Sequence, residues 1–222
     1  MKNKLKDVKS AVESIKNGAS LMVGGFLGTG TPEILIDALV EKGVKDLTII
    51  CNDSAFPNRG VGKLIVNKQV KKIITSYIGA NPESSKQMNE GTLEVELVPQ
   101  GTLAERIRAA GSGLGGVLTP TGVGTVVAEG KQILNIDGKD FLLEKPLHAD
   151  FALIRASVCD KFGNCVYNKS TKNFNPVMAT AADTIIVGCE KLVETGEINP
   201  DMVMTPSLFV DIITEGEKPW QI

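Results

Sequence analysis

NGASLMVGGFLGTGTP, residues 17–32, joins a short apolar run to the start of a helix through a glycine-rich loop. Leu21, Met22 and Val23 supply a strand core. Gly24, Gly25, Gly28 and Gly30 let the chain turn and let another molecule approach the backbone, because glycine has no Cβ. Thr31 suits a helix N-cap and Pro32 the first helical position, with Ile34, Leu35, Ala38 and Leu39 as the apolar face that follows. A strand, a glycine loop and a helix start in that order predict an α/β unit with an anion site at the turn. A dinucleotide fingerprint fails, since Gly28 and Gly30 are followed by Glu33 where a glycine is required. A Walker loop fails because Gly62 and Lys63 precede Leu64.

Outward from this loop the pattern repeats. Residues 4–16 carry Leu5, Val8, Val12 and Ile15 at helical spacing. LTII (47–50), KIIT (72–75) and EVELV (94–98) are strand-length apolar runs separated by helical or loop stretches, which predicts βα units and a mostly parallel sheet. From Gly111 the texture changes: GSGLGGVLTPTGVGT has six glycines in fifteen residues and reads as an irregular loop. KQILNIDGKDFLLE then reads as a hairpin turning at Asp137 and Gly138, and ALIRASVCDKFGNCVY as another turning at Phe162, Gly163 and Asn164. TIIVG (184–188) is a late strand. The expectation is one α/β domain over residues 1–222, a mostly parallel sheet flanked by helices with a small antiparallel extension.

Composition narrows the function classes. Hydrophobic residues make up 42% of the 222 and charged residues 23%, as in ordinary soluble domains. A net charge of −2 and a pI near 5.6 give no electrostatic case for nucleic acid. A membrane span needs about 18 consecutive apolar residues, and the runs here are far shorter. The first ten residues hold four lysines with no apolar stretch after them, unlike a secretory signal, so a cytoplasmic location is expected. Cys51, Cys159, Cys165 and Cys189 lack metal-ligand spacing and read as buried reduced thiols. His148, the single histidine, reads as a packed or surface residue, so no metal site is expected.

Residues 17–32 also resemble the signature of the alpha subunit of family I coenzyme A transferases, through Asn17, Gly18, Gly24, Gly25, Phe26, Gly30 and Pro32. LVPQGTLAERIRAAGSG (97–113) is similar to a second segment of that family, in the same order along the chain. The resemblance runs from the first helix to about residue 214. It implies the fold shared by coenzyme A transferases and certain sugar-phosphate isomerases. It also implies assembly with a beta subunit, commonly as a heterotetramer, and transfer of coenzyme A from an acyl thioester to acetate, butyrate or acetoacetate. Coenzyme A thioester is then a substrate, with no permanently bound cofactor. The loop Gly24, Gly25, Phe26, Leu27, Gly28, Thr29 and Gly30 becomes the coenzyme A or acyl site. Gln100, placed after a strand where α/β sheets present ligand groups, becomes a donor to an oxyanion or carboxylate.

The reaction of this family passes through a glutamate that becomes an enzyme-bound thioester, in a Ser-Glu-Asn-Gly motif of the beta subunit. This chain has no such motif: Glu90, Glu129 and Glu215 precede glycines in the wrong surroundings. The chain therefore reads as half of an active site. Arg106 and Arg108 read as structural ion-pair partners near Glu105, and Asn173 and Asn175 as caps of a following helix. Two other functions remain open at this level: a sugar-phosphate isomerase, and a non-catalytic module that binds acyl-coenzyme A.

Overall fold

The computed structural model describes residues 3–218. In chain order the elements are α1 (Val8–Ala11), β1 (Ser20–Val23), α2 (Glu33–Lys42), β2 (Leu47–Ile50), α3 (Val61–Val66), β3 (Val70–Thr75), α4 (Pro82–Asn89), β4 (Glu94–Leu97) and α5 (Gln100–Gly111). There follow β5 (Val117–Thr119), β6 (Ile133–Ile136), β7 (Lys139–Glu144), β8 (Ala149–Asp160), β9 (Cys165–Val166), α6 (Asn175–Met178), β10 (Ala182–Val193) and β11 (Ile212–Glu215).

The main sheet runs β11-β10-β8-β1-β2-β3-β4, all parallel, and β9 turns back antiparallel on β8. Strand alternation sends side chains to two cores. Leu21, Val23, Leu47, Ile49 and Leu153 face α2 and α3, whose Leu35, Leu39, Leu64 and Ile65 are buried there. Met22, Ile50, Ala152 and Ile154 face Leu103, Ile107 and Met178 of α5 and α6. From β1 the chain winds outward through β2, β3 and β4; from β8 it winds the other way through β10 and β11. The strand order thus reverses between β1 and β8, and ligands of open α/β sheets bind at the carboxyl ends of the strands beside such a reversal.

Three expectations need correction. The predicted helix over residues 4–16 is helical only from Val8 to Ala11. Its first residues pair with the sheet edge instead: Lys6 N–H donates to the Ile213 carbonyl and Ile213 N–H to the Lys4 carbonyl, both at 2.9 Å. Asp7 then caps the short helix by accepting from Ser10 N–H. Val12 and Ile15 are buried all the same.

The second correction concerns the start of α2. Thr31 does not cap it, and Pro32 sits at the cap position. The Ile34 N–H is met by Glu217 Oε2 at 3.2 Å, from the other end of the chain. Third, the glycine-rich stretch after Gly111 is not wholly irregular. It contains β5, which joins β6 and β7 in a separate three-stranded antiparallel sheet, while the second hairpin adds β9 to the main sheet. The turn between β6 and β7 falls at Asp137 and Gly138, both with positive φ.

Candidate active site

At the carboxyl end of β1 the backbone does not leave the sheet freely. Gly24 N–H still donates to the Leu153 carbonyl of β8, at 3.0 Å. Phe26 and Thr29 then exchange both backbone hydrogen bonds, at 2.9 and 2.8 Å, around Leu27 and Gly28 with φ of 47° and 88°. This is a two-residue turn with both central residues left-handed, which favours glycine at position 28. The Phe26 side chain is left half-exposed beside the turn.

Three side chains from distant elements hold this loop. Asp53, buried just after β2, accepts from Leu27 N–H with Oδ2 at 2.9 Å and from Ala55 N–H with Oδ1 at 2.8 Å. Asn173 accepts from Gly25 N–H at 3.1 Å and donates to the Thr29 carbonyl at 2.9 Å. Asn175, fully buried, donates to the Gly30 and Thr171 carbonyls and accepts from Arg155 N–H. The predicted capping role of these asparagines is therefore corrected: α6 has no side-chain cap, and both carboxamides serve the glycine loop. The approach is so close that a Cβ on Gly24 would lie 1.9 Å from Asn175 Oδ1.

The loop's N–H groups are thus mostly spent within the chain; among the described residues only those of Gly28 and Gly30 have no hydrogen-bond partner. The N-terminus of α2 is likewise met by Glu217, whose carboxyl is raised to about 7 because burial outweighs the attraction of Arg155. The loop acts as a shaped wall more than as an open anion cradle. Asn17 of the sequence signature lies away from it and accepts from Lys45 N–H.

Gln100 opens α5 at the end of β4 and is exposed. Its Nε2 donates to Oδ1 of buried Asn52 at 3.3 Å, and Asn52 in turn donates to Asp53 at 2.8 Å. One Gln100 N–H is used in this way; the second N–H and Oε1 remain for a ligand. An open groove of about 400 Å³ runs from here, lined by Phe26, Gln100, Ala104 and Arg108 on one side and by Lys172, Asn173, Phe174, Pro176 and Val177 on the other. The sequence reading of Arg106 holds: it bonds Glu96 and the Lys145 carbonyl, tying α5 to β4 and to the chain beyond β7. Arg108 does pair with Glu105 on its own helix, yet it also lines the groove. Its spacing of eight from Gln100 on one helix face was the available signal; Lys172 gave none.

A second groove of similar volume, between α1 and α2, has both its lysines engaged. Lys9 pairs with Glu41, and Lys42 donates to three backbone carbonyls. The four cysteines are buried and unpaired, and burial pushes the Cys51 thiol well up. His148 is half-exposed beside Asp183. Among the described residues no cluster of His, Cys, Asp and Glu could hold a metal ion, and no helix is long and apolar enough to cross a membrane.

A parallel sheet with a strand-order reversal, a clamped glycine turn and an exposed amide beside a groove make an α/β ligand-binding scaffold, and the chain belongs to the coenzyme A transferase family, whose model matches residues 5–216. It is 56% identical over 218 residues to the acetate CoA-transferase subunit alpha of Escherichia coli K12, covering 98% of this chain and 99% of that one. It is 54% identical to the acetoacetyl-CoA:acetate/butyrate CoA transferase alpha subunit of Clostridium acetobutylicum, over 90% of this chain and 92% of the other. In fold it is similar to an acyl-CoA transferase from Escherichia coli O157:H7, with a TM-score of 0.88 at 24% identity over 99% of this chain. It spans about half of that longer chain, 48%. Glutaconate coenzyme A-transferase from Acidaminococcus fermentans shares the fold with a TM-score of 0.84 at 20% identity, over 96% of this chain and 75% of the other.

Proposed function

We propose that this chain is the alpha half of a short-chain coenzyme A transferase, moving coenzyme A from an acyl thioester to a free carboxylate such as acetate, butyrate or acetoacetate. The groove beside Phe26 and Gln100 carries this reading: amide donors, apolar walls and cations line it, and among the described residues no carboxylate, thiol or imidazole does. Acyl transfer through a covalent intermediate needs a nucleophile. A beta subunit supplies it as a glutamate, commonly within a heterotetramer. The alpha-subunit names of the two most similar relatives cited support that assembly, as does the match to half of a longer acyl-CoA transferase chain.

In this scheme the partner's glutamate carboxylate attacks the thioester carbonyl and displaces the coenzyme A thiolate, giving a mixed anhydride; the thiolate then attacks the glutamyl carbonyl of that anhydride, forming the enzyme thioester and releasing the donor as a carboxylate that keeps one glutamate oxygen. The acceptor carboxylate then takes coenzyme A and frees the glutamate. Thioester free energy is conserved, so the balance needs neither nucleotide hydrolysis nor an oxidant. Gln100, oriented by Asn52, donates its free N–H to the oxyanion or to the departing carboxylate, and the turn from Gly24 to Gly30 places Phe26 against the thioester. Coenzyme A is a substrate here, not a resident cofactor. A sugar-phosphate isomerase would work through an acid/base carboxylate or lysine of this chain alone, so activity of the isolated chain would favour it; a pure binding module would hold acyl-coenzyme A and gain no activity with any beta subunit. The site of action in this reading is the cytoplasm, a reducing compartment that suits four buried free thiols.

The test is transferase activity with acetoacetate and butyryl-coenzyme A or acetyl-coenzyme A, for the chain alone and for its complex with the beta subunit. Activity is expected only in the complex, with Gln100→Ala lowering kcat by about 10²–10³. Activity in the isolated chain, or an unaffected Gln100→Ala complex, would refute the reading.

A further inference from the structure

We infer that Arg155 is a positioning residue for the glycine turn, and that a C-terminal strap, through Glu217 and the Lys218 carbonyl, fixes the guanidinium that does the positioning; the inference rests on the transferase reading above. Strand alternation puts Arg155 on the same face of β8 as Leu153, toward α2, so a charge meets the sheet face that packs on that helix. The side chain is buried. A buried arginine needs its donors met, and its partners come from β10, from the strap and from the exit of the turn.

Nε and Nη2 donate to Glu190 Oε1 of β10 at 2.9 and 2.8 Å. Nη2 also donates to the Lys218 carbonyl, just beyond β11. Nη1 donates to the Thr31 carbonyl at 3.3 Å and stands 3.7 Å from Glu217 Oε1. Glu217 turns its other oxygen to Ile34 N–H, in the first turn of α2. Gly188, the β10 residue paired with Arg155, leaves room for the strap: a Cβ there would lie 3.1 Å from Glu217 Oε2 and 3.3 Å from Pro32 Cβ.

Arg155 therefore grips the exit of the turn at successive carbonyls. Its guanidinium holds that of Thr31, and its backbone N–H holds Asn175 Oδ1, whose Nδ2 holds that of Gly30. Stability alone does not explain the arrangement, because burying a guanidinium with two carboxylates carries a desolvation penalty that apolar side chains of similar volume avoid. What the planar fork adds is direction. Its donors, fixed in one plane, set Thr31 relative to β10 and the strap at once, which an ammonium on a flexible stem does not. The consequence falls on Phe26, which the same turn places in the lining of the groove with Gln100. A misplacement of about 1 Å near reacting atoms costs roughly 10²-fold in rate.

The experiment uses the complex with the beta subunit and compares the wild type with Arg155→Lys and Glu217→Ala. Hydrogen exchange read by mass spectrometry follows the turn, where Gly25, Leu27 and Thr29 N–H are bonded, with β3 as the internal standard. Arg155→Lys should speed exchange in the turn by about tenfold and leave β3 within about twofold. It should lower kcat by about tenfold or more, while the KM for acyl-coenzyme A stays within about threefold because Ala104, Pro176 and Val177 still line the groove. Glu217→Ala leaves Arg155 paired with Glu190 and carries the test if Arg155→Lys does not assemble; it should move turn exchange and kcat the same way, by about threefold or more. Combined with Arg155→Lys it should add less than about twofold, since the strap acts through the guanidinium. Exchange rising equally in the turn and in β3 would overturn the inference, as would unchanged exchange in the turn or a loss confined to KM. Faster exchange confined to the turn, in a complex devoid of transferase activity, would uphold the grip of Arg155 and sink the transferase reading.

Discussion

Replacing Gly24 with alanine should damage the protein through one contact, and a second substitution at that contact should add no further damage. Gly24 does not occupy the left-handed region, so alanine meets no backbone penalty, and the stiffer unfolded chain would by itself favour folding by about 0.4–1 kcal/mol. The cost is steric: the new methyl would sit 1.9 Å from Asn175 Oδ1 and 2.6 Å from its Cγ. The carboxamide must then leave its site and give up bonds to the Gly30 carbonyl at 2.9 Å, the Thr171 carbonyl at 2.7 Å and Arg155 N–H at 3.0 Å. At about 1 kcal/mol per bond, and more for each buried group left unpaired, Gly24→Ala should cost roughly 3–5 kcal/mol. Asn175→Ala should cost a similar amount, since it deletes the same bonds.

In the double variant the methyl enters space that the carboxamide has vacated, so the two costs should not add. Gly24→Ala with Asn175→Ala should be as stable as Asn175→Ala alone, a coupling of roughly 3–5 kcal/mol in a double-mutant cycle. Urea denaturation of all four proteins measures it, provided the m-values agree. Additive losses, or a Gly24→Ala cost below about 1 kcal/mol, would show that the loop and Asn175 do not meet as described.

Glu217 provides a pH test. Its carboxyl is raised from 4.5 to about 7, so the folded state binds this proton more tightly than the unfolded chain does. The associated stability is full below about pH 4.5 and is lost as pH rises through 7, on the order of 3 kcal/mol at most. Glu217→Gln keeps an acceptor for Ile34 N–H without the titration, so it should gain on the wild type between pH 4.5 and pH 8; a difference constant over that range would be contrary to the burial argument. The four buried thiols should be alkylated by iodoacetamide only slowly in the native protein and all four in urea, as read by mass spectrometry, because the reactive thiolate is suppressed at Cys51 by burial. Rapid native labelling of Cys51 would contradict its placement.

Local pattern was enough for much of this protein. The apolar runs at 47–50, 72–75 and 94–98 became parallel strands because each is bounded by helix or turn residues, and Asp137 with Gly138 turned a hairpin because that pair tolerates positive φ. The glycine loop and Gln100 were legible as site candidates for the same reason: both follow strand ends, where parallel sheets expose their ligand groups. What no window of sequence contained were the partners. Residues 4–7 looked helical until the edge of β11 offered them carbonyl and amide groups to pair with. Asn173 and Asn175 looked like caps until folding brought them some 150 positions back against Gly25 and Gly30. The separations, 148 residues for Gly25 and Asn173 and 145 for Gly30 and Asn175, exceed any local rule. Glu217 met the start of α2 only through the strand order of the finished sheet. Sequence by itself determined the α/β class and the position of the glycine turn, because short-range periodicity and turn geometry are local properties. The clamped shape of the loop and the Asn52 support for Gln100 were decided by tertiary structure alone, since each depends on which distant groups the finished fold brings to the same place.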